Sequence, residues 1–334
     1  MKVIVDAMGG DNAPQAIIEG CAMALKQMPS LHLTLTGPKD MLSAELAKYQ
    51  FDSSRINIVD ATEVIDMAEP PVEAIRHKRD SSLVKGLRLL SEGEGSVFIT
   101  AGSTGAMIAG ATLIVRRLPG VRRPALAPTL PSKTGRVLLI DAGANTECRP
   151  SYLAQFALMG SIYMKKVEGI ASPRVGLVSN GSEEEKGNEL TKEAFKMIRQ
   201  MPVNFVGNAE GRDLISGDYD VIVCDGFTGN VVLKFLEGVA GVLFSMIKKE
   251  LKSSLRTKIG AALAMPAFRS FKKSMDYTEY GGALLLGING GVVKAHGSSN
   301  AKAILSTLRQ AASFIESDVV GVIREEISKV VLSD

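Results

Sequence analysis

The hydrophobic positions along the chain form short, nearly continuous apolar runs, each followed by a turn that contains glycine. Five such runs and their turns read KVIVDAMGGDNAP, SVFITAGSTGA, RVLLIDAGAN, RVGLVSNGS and DVIVCDGFTGN. Apolar runs rich in β-branched residues and without polar alternation are typical of strands that are buried on both faces of a parallel sheet. The pattern therefore predicts five interior β-strands.

Helical periodicity follows several of these turns, over residues 13–25, 104–115, 188–201 and 230–249. The repeated order of strand, glycine turn and helix predicts an α/β fold with an open, mainly parallel sheet covered by helices. We treat residues 1–334 as a single α/β domain, with two lobes as an open alternative. Ligands bind beyond the carboxyl ends of the strands in such sheets, so all five turns are expected at one edge.

Composition narrows the class of protein. The chain has 46% hydrophobic residues and three cysteines, which show no C-x-x-C spacing. Unclustered cysteines in odd number favour a reducing cytoplasm over a disulfide scaffold or a zinc site. The amino-terminal residues MKVIVDAMGG enter a strand-like run at once, and no stretch reaches the roughly 18 uninterrupted apolar residues of a membrane span. We expect a cytoplasmic protein that neither is secreted nor spans a membrane.

The charge of the chain is concentrated in one segment. Residues 248–273 carry eight basic residues and one acidic residue, whereas the remainder has 31 basic and 35 acidic residues. The same segment places apolar residues at helical spacing, namely Leu251, Leu255, Ile259 and Leu263, followed by Phe268. Pro266 is expected to end this helical run. The pattern predicts a protruding basic amphipathic arm that contacts an anionic membrane surface, with a solvated helix pair in a dimer as the alternative.

Several common motifs are missing. No G-x-G-x-x-G follows a strand, and neither a P-loop, H-E-x-x-H nor a G-x-S-x-G nucleophile elbow occurs. Glycine turns before helices can bind small anions through backbone N–H groups. The sequence therefore predicts a site for a small anion, with no metal, no cofactor and no nucleic acid as partner.

Six motifs extend from the first predicted strand to the last predicted helix. They are DAMGGDNAP at 6–14, RPALAPTLP at 123–131, KGNELT at 186–191, DGFTGN at 225–230, YGGALLLG at 280–287 and AHGSSNAKAI at 295–304. With these motifs the chain resembles the phosphate acyltransferases of bacterial phospholipid synthesis, the PlsX family. Two positions depart from the family pattern, because Asn12 stands where histidine is common and Ser103 where asparagine is common.

The resemblance implies an enzyme that moves a fatty acyl group from acyl carrier protein onto inorganic phosphate. The product would be an acyl phosphate for a membrane glycerol-3-phosphate acyltransferase. It further implies a cytoplasmic homodimer that associates peripherally with the inner face of the membrane. The implied fold is similar to that of phosphotransacetylases and of isocitrate and isopropylmalate dehydrogenases.

Phosphate can attack a thioester directly, so the chemistry requires a cation for the phosphate and a donor for the oxyanion. The resemblance marks Lys186 as catalytic, and we expect it to face inward while Glu183, Glu184 and Glu185 face water. Asn230 is expected to be catalytic, although it can instead cap a helix. The expected phosphate-binding set is Gly9, Gly10, Asp11, Gly102, Ser103, Thr104, Gly105, Asn180, Gly181, Asp225, Thr228, Gly229 and His296.

Alternatives to these assignments remain at several positions. The helix after Lys186 can begin at a Ser182–Glu185 capping box or at Asn188. Cys224 is expected to be buried and inert, and Cys148 has no recognisable base. Residues 76–79 form a second basic cluster, which can dock acyl carrier protein in place of the arm. The alternative functions are a phosphotransacetylase that uses acyl-CoA and a membrane adaptor without enzymatic activity.

Overall fold

The computed structural model describes residues 1–275 and 281–330. Its strands, numbered along the chain, are β1 (Lys2–Asp6), β2 (His32–Gly37), β3 (Ile56–Asp60), β4 (Val97–Thr100), β5 (Ala125–Ala127), β6 (Thr129–Ser132), β7 (Gly135–Ile140), β8 (Arg174–Val178), β9 (Asn204–Ala209), β10 (Val221–Val223), β11 (Ala283–Leu286) and β12 (Gly291–Lys294). Its α-helices are α1 (Gln15–Gln27), α2 (Lys39–Leu46), α3 (Pro71–His77), α4 (Ser82–Ser91), α5 (Thr104–Gly110), α6 (Pro150–Lys166), α7 (Glu189–Ile198), α8 (Gly226–Leu251), α9 (Leu255–Met275), α10 (Ala301–Glu316) and α11 (Val319–Ser328).

The strands form two sheets. The first has the order β3-β2-β1-β4-β12-β11-β5, and the second has the order β6-β7-β10-β8-β9. Both are mainly parallel; the antiparallel pairs are β11 with β12, β11 with β5, and β6 with β7. The mainly parallel, helix-covered architecture predicted from the sequence is therefore confirmed.

The expectation of a single sheet edge is wrong. Of the five predicted strands, β1 and β4 belong to the first sheet, whereas β7, β8 and β10 belong to the second. The chain changes sheet at Pro128, which alone separates β5 from β6. A proline has no N–H for the ladder, so it suits a point at which strand pairing changes partner.

Apolar faces of both sheets contribute to the interior. Val3, Ile4 and Val5 of β1 are each 1% exposed, as expected for a strand covered on both faces. A single cluster of buried residues includes strands of both sheets and helices α1, α6 and α10. A second cluster packs α4 and α5 against the other face of the first sheet. The shared helices therefore hold the two sheets together, and the loops that follow their strands can meet.

The helix after Lys186 begins at the later of the two expected positions. Asn188 caps α7 because its Oδ1 accepts a 2.9 Å hydrogen bond from the Thr191 amide. Gly187 directly before it has a positive φ of 107°, a conformation that favours glycine. Ser182 lies in the preceding turn and caps no helix in the described chain.

Helices α8 and α9 form the arm, which differs from the prediction in two respects. Helix α9 continues through Pro266, so the expected break is wrong. The predicted stripe is divided between the helices, because Leu251 ends α8 and Leu255 begins α9. Phe244 and Phe271 join the two helices, with ring centroids 5.8 Å apart. The side chains of Arg269, Lys272 and Lys273 lie outside the described part.

The arm also begins earlier than residue 248, because α8 exposes apolar residues along most of its length. Phe235 is 72% exposed and Met246 is 59% exposed. By length and composition alone, α8 is a candidate membrane span, with a mean hydropathy of 1.6 over an unburied window of 18 residues. The sequence criterion of an uninterrupted apolar run missed this helix because Lys234 and Glu237 interrupt it.

Candidate active site

A cavity of about 530 Å³ is lined by residues that are attached to both sheets. Asp11, Thr104 and His296 come from loops and helix starts of the first sheet, while Gly143 and Asn230 come from the second. Apolar side chains form another part of the wall, namely Met67, Ile108, Leu126, Leu130 and Leu233. The cavity therefore combines a polar region with apolar walls.

The carboxyl ends of three adjacent strands, β1, β4 and β12, carry polar residues. The Thr100 hydroxyl donates a 2.7 Å hydrogen bond to Asp6, and the Gly102 amide donates to the Thr100 oxygen at 2.9 Å. Burial raises the pKa of Asp6, while its hydrogen bonds oppose that shift. A Cβ at Gly9 would lie 2.6 Å from the Gly102 nitrogen, so this close approach requires glycine.

The loop after β1 is bound to the loop after β12. The Asp11 amide donates to the Gly297 carbonyl at 2.8 Å. The Asn12 side-chain amide donates to the carbonyls of Ser298 and Ser299, each at 3.2 Å. Asn12 thus fastens the two loops together.

His296 lines the cavity within this fastened pair of loops. Its Nδ1 accepts a hydrogen bond from the Ser298 amide at 3.2 Å and contacts the Ser298 hydroxyl at 2.8 Å. Because a backbone N–H can only donate, the neutral ring carries its proton on Nε2. Burial lowers the pKa of His296 below its usual value. At neutral pH the ring is therefore an uncharged hydrogen-bond donor.

Asp141 organises the second sheet's side of the cavity. Its Oδ1 accepts hydrogen bonds from the amides of Leu126, Gly143 and Ala144 at 2.9, 3.1 and 2.9 Å. Its Oδ2 accepts from the amide and side chain of Asn145 at 2.7 and 2.8 Å. Burial raises the pKa of Asp141, and these hydrogen bonds oppose the shift. The carboxylate fixes the turn that carries Gly143 against β5.

At the start of α8, the residues of the DGFTGN motif have different roles. Asp225 caps the helix, accepting from the Thr228 amide at 2.9 Å and from the Thr228 hydroxyl at 2.7 Å. The Gly229 amide donates to the Asp225 carbonyl. Thr228 and Gly229 therefore use within the helix the donors that we expected to serve the oxyanion or phosphate. Asn230 is not the cap, and its side chain forms no hydrogen bond within residues 1–275 and 281–330.

Only part of the turn after β4 lines the cavity. Ser103 is buried and caps α5, with its hydroxyl accepting from the Ala106 amide at 3.4 Å. Thr104 and Gly105 line the cavity, whereas Gly102 and Ser103 do not. The AGSTGA motif thus forms a capped helix start.

The structure places Lys186 in the turn between β8 and α7, outside the cavity lining. Its side chain is exposed, as are those of Glu183, Glu184 and Glu185, and its catalytic role stays a prediction. The Asn208 side chain binds the Glu183 carbonyl at 2.7 Å and holds this turn beyond the strand end. Because β8 neighbours β10 in parallel, the Lys186 turn and the start of α8 lie at the same edge.

The remaining members of the expected phosphate-binding set are not part of the lining. These are Gly9, Gly10, Gly102, Ser103, Asn180, Gly181, Asp225, Thr228 and Gly229. Three charged residues of the cavity were missed: Lys234, Glu237 and Lys294. Lys234 follows Asn230 by one helical turn and pairs with Glu237 at 2.8 Å. Lys294 had a sequence signal, because it ends a buried strand directly before the AHGSSN motif.

The cysteines are poorly suited to nucleophilic attack. Burial, with a smaller contribution from Asp141, raises the pKa of Cys148 to about 12. The pKa of the fully buried Cys224 is raised well above its usual value for the same reasons. Since the thiolate is the reactive form, neither residue is activated at neutral pH.

Comparison with solved structures establishes the fold class. A phosphotransacetylase from Streptococcus pyogenes superposes with a TM-score of 0.64 at 17% sequence identity, covering 95% of this chain and 94% of that one. A branched-chain phosphotransacylase from Enterococcus faecalis gives a TM-score of 0.56 at 14% identity, covering 94% and 98% of the two chains. The protein thus has the phosphotransacetylase fold.

Sequence comparison identifies the family within this class. The family model described as "Fatty acid synthesis protein" matches residues 1–321. The phosphate acyltransferase of Clostridium perfringens is 51% identical over 330 residues, 98% of this chain and 97% of that one. That of Clostridium acetobutylicum is 50% identical over 329 residues, 98% of this chain and 99% of that one. The chain belongs to the phosphate acyltransferase family, and the resemblance inferred from its motifs is confirmed.

Proposed function

We propose that the protein transfers a fatty acyl group from acyl carrier protein to inorganic phosphate by direct attack on the thioester. The observation that carries the proposal is a single cavity in which Asn230, Lys294 and His296 share a lining with apolar walls. Membership of the phosphate acyltransferase family supports the same reaction. No residue of the chain has to form a covalent intermediate.

In the proposed reaction, a phosphate oxygen attacks the thioester carbonyl carbon and a new carbon–oxygen bond forms. The carbonyl oxygen becomes an oxyanion in the tetrahedral intermediate, and it regains its double bond when the carbon–sulfur bond breaks. The thiolate leaves on the carrier and is then protonated. The side-chain amide of Asn230, which forms no hydrogen bond within the described residues, is the proposed oxyanion donor. Loss of one such donor typically reduces kcat by about 100- to 1,000-fold.

The apolar walls are the proposed site for the acyl chain near the thioester. Ile108, Leu126 and Leu233 come from three different elements and present aliphatic surface to the cavity. Burial of each methylene of an acyl chain contributes about 0.8 kcal/mol. Binding energy of this size favours a fatty acyl donor over a short acyl group.

The experiment that tests this reaction follows free thiol and acyl phosphate with phosphate and either acyl carrier protein thioester or acyl-CoA. We expect turnover with the carrier thioester, and an approximately 100-fold lower kcat for Asn230→Ala with an unchanged melting temperature. Turnover only with acyl-CoA would favour a phosphotransacetylase. Absence of turnover with both donors would leave a membrane adaptor as the function.

Acyl carrier protein is proposed to dock on a basic surface, and the chain offers two. In the cluster at residues 76–79, Lys78 is already paired with Glu69 at 2.6 Å. Arg76 and Arg79 are exposed there, and Lys258 is exposed on α9. Charge reversal distinguishes the two surfaces. The substitution that lies on the docking surface, Arg76→Glu or Lys258→Glu, should lower kcat/KM for the carrier thioester, while the turnover of acyl-CoA stays equal in both variants.

The arm is proposed to hold the enzyme at the inner face of the cell membrane. Leu255, Ile259 and Leu263 of α9 are 75%, 57% and 81% exposed, beside several basic residues. Exposed apolar surface of this extent marks an interaction site. Contact with an anionic bilayer would allow the poorly soluble acyl phosphate to reach a membrane glycerol-3-phosphate acyltransferase. The homodimer is likewise a proposal, supported by the exposed apolar face of α8.

Vesicle flotation and sedimentation distinguish these two uses of the arm. Leu263→Glu is expected to abolish flotation with anionic vesicles, whereas Met41→Glu, an exposed apolar position on α2, should not. Unchanged flotation of Leu263→Glu and Leu255→Glu would remove membrane contact from α9. Conversion of a dimer to a monomer by Phe235→Glu would assign the α8 face to the partner subunit.

A further inference from the structure

Lys294 is a buried lysine that forms no ion pair within the described chain. It ends β12 and is 8% exposed. Its Nζ donates to the carbonyl oxygens of Ala101 at 3.2 Å and Ala295 at 2.5 Å. Two acids, Asp6 and Asp11, act on Lys294 without forming an ion pair with it. Asp6 is already bound by the Thr100 hydroxyl and the Met8 amide.

In this environment the buried ammonium lacks one hydrogen-bond acceptor and a compensating negative charge among the described residues. It has three N–H donors, and the two carbonyl acceptors carry no net charge. A buried charge without a counter-ion is costly, and such charges in proteins are normally paired. Since Lys294 also lines the cavity, a bound anion can supply both the missing acceptor and the missing charge.

The surroundings of Lys294 select a small anion. The loops after β1 and β12 are fastened over this end of the sheet through Asp11, Asn12 and Gly297. Gly10 packs so closely that a Cβ would lie 2.9 Å from the Gly297 carbonyl oxygen. His296, whose neutral ring donates from Nε2, lines the same region of the cavity.

We propose that Lys294 is the cation that binds the phosphate nucleophile, at a subsite formed by the ends of β1, β4 and β12. This subsite rests on the proposed function for its ligand, but its occupancy is measurable without acyl transfer. The ligand is inorganic phosphate, and the alternative source of the same chemistry is the phosphodiester of a phosphopantetheine arm. Lys186, outside the cavity lining, is then not required for phosphate to bind.

The charged groups that act on Lys294 come from several elements. Burial lowers its pKa to about 8, Lys234 of α8 adds to the decrease, and Asp6 and Asp11 oppose it. His296 is neutral above pH 7 and adds no charge there. Lys294 is therefore an ammonium at neutral pH and loses its proton as the pH rises through about 8. Phosphate affinity is expected to fall about tenfold per pH unit above this value.

The test is calorimetric titration of the full chain with inorganic phosphate and, separately, with phosphopantetheine. We expect Lys294→Met to bind phosphate about 10- to 100-fold more weakly, as for loss of a charge-assisted hydrogen bond. Lys26→Met, an exposed lysine on α1, should bind like the unmodified protein. Unchanged phosphate affinity of a folded Lys294→Met variant would overturn the proposal, as would loss of affinity for phosphopantetheine alone.

The pH dependence of phosphate binding by the unmodified protein gives a second measurement, which does not depend on the variant folding. Constant affinity between pH 7 and 9.5 would overturn the proposal. Failure of the proposed function has a different outcome: phosphate binds through Lys294, yet no acyl group is transferred. The two ideas are therefore separable with the same protein preparation.

Discussion

Replacement of Asp141 by asparagine tests whether the buried carboxylate holds the second sheet's side of the site. The five hydrogen bonds that the described residues make to the Asp141 carboxylate all come from N–H donors, three to Oδ1 and two to Oδ2. An asparagine has one carbonyl oxygen and one NH₂ group. If its oxygen takes the Oδ1 position, the NH₂ group faces the two donors of Asn145. If the amide is flipped, the NH₂ group faces three donors instead.

The preferred orientation therefore leaves at least two N–H groups without an acceptor. Each buried unsatisfied donor costs about 1–3 kcal/mol, so we expect Asp141→Asn to lower the free energy of unfolding by about 2–6 kcal/mol. This is a large share of the roughly 5–15 kcal/mol that stabilises a folded protein. The turn that carries Gly143 would also lose its anchor beside Asn230, so kcat should fall as well.

Urea unfolding, followed by circular dichroism, measures the free energy of unfolding, and the thiol-release assay measures kcat. Asp218→Asn is the matched control, because Asp218 is exposed, and it should change stability by less than about 0.5 kcal/mol. An Asp141→Asn variant that unfolds within 1 kcal/mol of the unmodified protein would refute the role of the carboxylate as the common acceptor.

Three further predictions use the same assays. Lys186→Ala should abolish acyl phosphate formation, because the Lys186 turn lies at the same sheet edge as the start of α8. It should change stability by less than about 0.5 kcal/mol, because the side chain is exposed; near-normal turnover would remove Lys186 from the mechanism. The double variant Cys148→Ala and Cys224→Ala should retain substantial activity, since neither thiol is activated; near-total loss would contradict direct attack. Gly229→Ala should cost about 1–3 kcal/mol and reduce kcat, because its Cβ would lie within 2 Å of the Asp141 carbonyl oxygen. Its control, Gly238→Ala, has open space on α8 and should stabilise the helix by up to about 1 kcal/mol, as measured by thermal melting.

Local patterns in the sequence determined the elements and the family. The apolar runs before glycine turns became β1, β4, β7, β8 and β10, because burial on both faces leaves a signal that depends only on neighbouring residues. Asn188 was identifiable as a helix cap for the same reason, since capping acts over three residues. The family followed from motifs that are each contiguous in the chain.

Tertiary structure decided everything that depends on which elements meet. It divided the five strands between two sheets, because strand pairing joins residues that are far apart in the chain. It gave the helix cap to Asp225 and left the Asn230 side chain without a hydrogen bond in the part of the chain that the structure describes, although both lie in one six-residue motif. It also buried Lys294 without an ion pair to any described residue, since burial and pairing depend on the loops after β1, β4 and β12 converging on one cavity.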